Sequence, residues 1–147
     1  MKRYLLGYLG AWLAALAVCW GLVFVALMNW MFSRSPLWFD LLLVLLAALP
    51  FPAAGWLANR KTRRRPPRWG LPVLLAVMAA TALLTAYTDD SADAVILTLP
   101  GQLLRGATGL VLERFVRIDG YWEGALMVAG HLLLPLLYHL GWRWSME

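Results

Sequence analysis

The chain has 147 residues, of which 62% are hydrophobic and 14% charged, with a mean hydropathy of +0.67 and a formal charge of +5. This composition lies outside the usual range of soluble domains, and the length leaves room for about four or five apolar segments of ~20 residues but no separate aqueous domain. The surplus charge is local, because the six basic residues between positions 60 and 68 leave seven basic against eight acidic side chains elsewhere, which argues against a uniformly basic nucleic-acid-binding surface.

The thirty uncharged residues from 4 to 33 would reach about 45 Å as a helix, and they predict a first membrane span over about 5–32. Lys2 and Arg3 resemble the start of a signal peptide, yet the apolar run far exceeds the ~7–15 residues of a cleavable one. Val18 is also too large for the small residue expected before a lipidated cysteine at Cys19, so an uncleaved anchor is expected. Within this segment Gly7, Ala11, Ala14, Val18 and Gly21 form a stripe of small residues suited to helix packing. The opposite side carries Leu9, Trp12, Leu16, Trp20, Val23 and Leu27.

Ser35 and Pro36 read as a helix start, with Asp40 near the positive end of the helix dipole. The second span is expected over about 37–59, broken in its second half by Pro50 and Pro52. The loop that follows carries Arg60, Lys61, Arg63, Arg64, Arg65 and Arg68. These residues are expected to stay on the cytoplasmic side, with the amino terminus, and to touch anionic headgroups. Nucleic acid is not expected as a partner, because Trp69 is the only base-stacking aromatic beside the charge. A third span follows at about 69–88, with Ala79, Ala82 and Ala86 repeating the small-residue theme.

Residues 94–118 are nearly long enough to cross, but Arg105 would then lie near the bilayer centre at a cost of about 2.5–3.5 kcal/mol. They are expected as an extracytoplasmic amphipathic or re-entrant segment, with a fifth span as the alternative. The stretch ERFVRIDGYWE, Glu113 to Glu123, is the densest polar cluster. Glu113 and Arg117 stand in the favourable order for a helix ion pair, Asp119 and Gly120 read as a turn, and Glu123 as a first-turn carboxylate. With Arg105, Arg114 and His131 these residues are the candidates for binding a partner or a lipid headgroup.

The final span is expected over about 124–142. Its two histidines, His131 and His139, are eight residues apart, about 12 Å along a helix, so they cannot share one metal ion. His131, Pro135, Tyr138 and Trp142 share a stripe expected to face the bundle. No cofactor, metal or catalytic residue is assigned, since phosphate loops, paired metal ligands and nucleophile elbows are missing from the sequence.

Together these readings predict an all-α chain of one domain, 1–147: an integral membrane bundle of four transmembrane helices in a bacterial cytoplasmic (inner) membrane. The expected function is that of an accessory or structural subunit of a larger membrane complex, acting through helix packing and the outer polar cluster. Membrane lipids and other membrane-protein subunits, or copies of itself, are the expected partners. A small homo-oligomeric transporter or channel, using the broken second helix and His131, is one alternative. A lipid-modifying enzyme built on Glu113 to Glu123 is the other.

Overall fold

The structure, a computed structural model, describes residues 1–32, 37–87 and 120–147. The described residues form five helices: α1 (Lys2–Phe32), α2 (Leu37–Ala48), α3 (Pro50–Asn59), α4 (Gly70–Tyr87) and α5 (Gly120–Trp144). Leucine and alanine dominate these segments, and both lose little on entering a helix.

Proline placement explains the division between α2 and α3. Pro50 and Pro52 occupy the first turn of α3, where a missing N–H is tolerated. Leu49 between the two helices keeps a right-handed helical conformation, with φ −59° and ψ −36°. Its N–H still donates to the Leu45 carbonyl at 2.8 Å, so the join is a kink and not a loop. In α5, Pro135 lies inside the helix and withdraws the N–H that would otherwise reach the carbonyl one turn earlier.

The core is aromatic. Tyr4, Tyr8, Ala11 and Ala15 of α1 meet Phe51 of α3, Leu74 and Met78 of α4, and Leu134, Tyr138 and Trp142 of α5. Tyr4 meets Tyr138 and Trp142 edge-on, with ring centroids 5.1 and 5.0 Å apart, and Tyr8 meets Tyr138 in the same way at 5.4 Å, the arrangement that ring quadrupoles favour. Packing is tightest between α3 and α5, with α1 laid on α3 and α4 on α5. Gly55 and Gly141 make this possible: each presents bare backbone to the facing helix, Gly55 toward Trp142 and Gly141 toward Pro52.

The all-helical class stands, but its membrane-spanning form is overturned. Among the described residues no helix is long and apolar enough to cross a membrane. The four-span integral bundle, the five-span alternative and the inner-membrane location are corrected accordingly. Element length supplies part of the physical reason. The apolar run 37–59 reads as one segment in sequence, yet the chain divides it into helices of 12 and 10 residues. At 1.5 Å per residue these extend about 18 and 15 Å, roughly half of a ~30 Å hydrocarbon core. The 18 residues of α4 reach about 27 Å. Residues 94–118, expected as an outer segment, lie outside the described residues.

The packing stripe of α1 also differs from expectation. Its buried positions are Tyr4, Tyr8, Ala11 and Ala15, while Ala14, Val18 and Gly21 are exposed and Trp12 is half-buried against Tyr8 and Phe51. Two tyrosine rings reach the core from positions that size alone would have assigned elsewhere.

Candidate functional site

Four helix ends meet on one side of the molecule: the amino-terminal ends of α1 and α4 and the carboxy-terminal ends of α3 and α5. The Tyr4 ring of α1 meets α5 and α4 there. It packs against Trp142 and Tyr138 of α5, and a side chain added at Gly70 of α4 would lie 2.8 Å from it. The Tyr138 hydroxyl donates to the Tyr4 carbonyl at 2.8 Å, and the Tyr4 hydroxyl lies 2.9 Å from Nδ1 of His139. Burial pushes the Tyr4, Tyr8 and Tyr138 phenols above their ordinary range, so all three stay protonated. Burial lowers the His139 pKa, and the nearby Arg143 cation lowers it further. A neutral imidazole accepting from Tyr4 at Nδ1 fits both directions.

The loop between α3 and α4 is held to this end by Asn59, which is fully buried. Its Nδ2 donates to the Arg64 carbonyl at 2.9 Å and to the Trp142 carbonyl at 3.2 Å. Its Oδ1 accepts from the Arg64 N–H at 2.9 Å and from the Thr62 hydroxyl at 3.2 Å. One amide therefore uses both its donors and its acceptor, as a buried polar group must. Trp142 adds a bond from Nε1 to the same Arg64 carbonyl at 2.9 Å. The chain reverses here through Arg63, whose φ of 42° lies in the left-handed region that non-glycine residues seldom enter.

The backbone clamp leaves the cationic side chains outside. Arg60, Lys61, Arg63, Arg64, Arg65 and Arg68 are all exposed, and the same end carries exposed Lys2, Arg3 and Arg143. Among the described residues none of these nine forms an ion pair, and Arg60 instead lies over the Trp56 ring at 5.6 Å. Trp56, Trp69 and Trp144 are exposed between the cations.

The other expected site residues are not assembled here. Arg105, Glu113, Arg114, Arg117 and Asp119 lie outside the described residues, and Glu123 falls in the first turn of α5 with its side chain undescribed. His131 is fully buried on the α5 face that also buries Leu134, Pro135 and Tyr138. Among the described residues no group of acidic, histidine and cysteine side chains could hold a metal ion. Asn59, Tyr4, His139 and Arg143 were not singled out for this end from the sequence. The available signal was a lone asparagine closing an apolar helix just before the cations.

Along the bundle, residues of α1 and α4 line a groove of about 380 Å³. Leu5, Leu9 and Trp12 line one wall, and Val77, Met78 and Thr81 the other. Tyr8 also borders it, and the buried Tyr8 hydroxyl has no hydrogen-bond partner among the described residues. No protein-family model matches the chain, and no curated protein or solved structure proves similar to it.

Proposed function

We propose that this protein is an accessory subunit of a larger assembly and works by packing its apolar helix faces against helices of partner subunits. The observation that carries this reading is a core formed on one side of the helices while large apolar side chains on their other sides are exposed. Leu6 and Leu13 of α1, Leu45 of α2, Leu49 at the kink, and Val77 and Leu83 of α4 are each more than half exposed. Isolated exposed leucines are ordinary, but large apolar side chains exposed repeatedly along three helices are what a contact surface presents. The outer face of α1 adds a docking geometry: Gly10, Ala14, Ala17 and Gly21 are exposed, and a side chain added at Gly10 or Gly21 meets nothing within 4 Å. Small residues spaced three and four apart along one helix face admit close approach of a second helix.

The test is the composition of the native assembly. Isolated under conditions that preserve complexes, the chain is expected in fixed stoichiometry with different helical subunits. Ala14→Trp should release it, since an indole would block helix approach, whereas charge changes in the basic loop should not. A monodisperse monomer in plain buffer, or an assembly indifferent to Ala14→Trp, would refute the proposal.

A further inference from the structure

We infer that the basic end binds the phosphate-bearing headgroups of an anionic lipid surface, and that Asn59 is the residue that positions the loop for it. Three observations converge. The described cations gather at this end with no ion-pair partner among the described residues, and the one described carboxylate side chain there is Glu147. The loop backbone is held in place by the Asn59 and Trp142 bonds to Arg64, so less ordering entropy remains to be lost on binding. Exposed Trp56, Trp69 and Trp144 are interleaved with the charge, and such rings, apolar in body and polar at one edge, suit the headgroup level of a lipid surface. A nucleic acid would instead call for a groove-filling element or stacked base platforms.

This inference is independent of the assembly reading, because it rests on the loop and helix ends and not on the outer face of α1. The full chain is presented to vesicles of phosphatidylcholine and to vesicles of an equal mixture of phosphatidylcholine and phosphatidylglycerol. The expected result is tighter binding to the mixed vesicles, weakening as salt screens the charge. The triple variant R63Q/R64Q/R65Q, which alters only exposed side chains, should lose about fivefold per cation, on the order of a hundredfold in all. Asn59→Ala keeps every charge, so its affinity should fall several-fold while the salt dependence stays steep; in the triple variant that dependence flattens. Equal binding to both vesicle types, or an unaffected triple variant, overturns the inference. So does displacement by inorganic phosphate alone, which assigns the site to a free ion, or tighter binding to a DNA duplex, which assigns it to nucleic acid.

Discussion

Replacing Gly141 with alanine tests the claim that α3 and α5 meet backbone to backbone. The new methyl would collide with the Pro52 carbonyl oxygen and stand 2.6 Å from both the carbonyl carbon and Cα of Pro52, where ordinary contact begins near 3.4 Å. No flexible side chain can yield there, so the helices must separate by about 1 Å along their tightest contact, and overpacking of this kind costs about 1–3 kcal/mol. Alanine returns up to ~1 kcal/mol through its better helix propensity. With rigid backbone as the obstacle, the upper end of the cost applies and the net loss is about 2 kcal/mol. For a chain of this size that corresponds to a fall of about 4–8 °C in Tm. Gly10→Ala is the control, because its methyl enters open space and should be neutral or stabilise by up to ~1 kcal/mol. Equilibrium unfolding of the full chain, followed by far-UV circular dichroism and tryptophan fluorescence, compares the two. Equal stability of the Gly141 and Gly10 variants would show that the helices do not approach as described.

Two further expectations concern the aromatic core and its histidine. A side chain at Gly7 would strike the Tyr138 hydroxyl, so Gly7→Ala and Tyr138→Phe should couple: the double variant is expected to be more stable than the sum of the single losses by about 0.5–3 kcal/mol, read from a double-mutant cycle. Additive losses would contradict the contact. His139 has a lowered pKa in the fold, so the folded state binds fewer protons than the unfolded state just below the ordinary histidine pKa of about 6.5. Its contribution is therefore fully present above that pH and is lost as pH falls through the lowered folded value, where protonation ends acceptance from Tyr4. Denaturation measured across this range should show a pH dependence that is reduced in His139→Phe; identical profiles would remove His139 as its source.

Helix positions were readable in the sequence to a useful degree, since uncharged runs bounded by charge or proline coincide with α1, α4 and α5, and Pro50 and Pro52 announced the break after α2. The meaning of those runs was not readable in the same way. Hydropathy adds apolar residues along the chain without registering that Leu49 divides two short helices, which is why the second span failed as one element. On the candidate site, the six loop cations were plain from composition. Asn59 was not, because a polar side chain at a helix end looks alike whether it faces solvent or closes four hydrogen bonds.

The sequence by itself determined the helical class, the kink and the segregation of positive charge, because propensity, proline geometry and charge spacing act over a few neighbouring residues. Only the tertiary structure decided that Tyr4, Asn59, His139 and Trp142, separated by as many as 138 positions in the sequence, share one end of the bundle. It also decided that Tyr8 and not Ala14 turns inward on α1. Those outcomes depend on how closely helices cross, and that distance is set by pairs such as Gly55 and Gly141 whose partnership exists only in the folded chain.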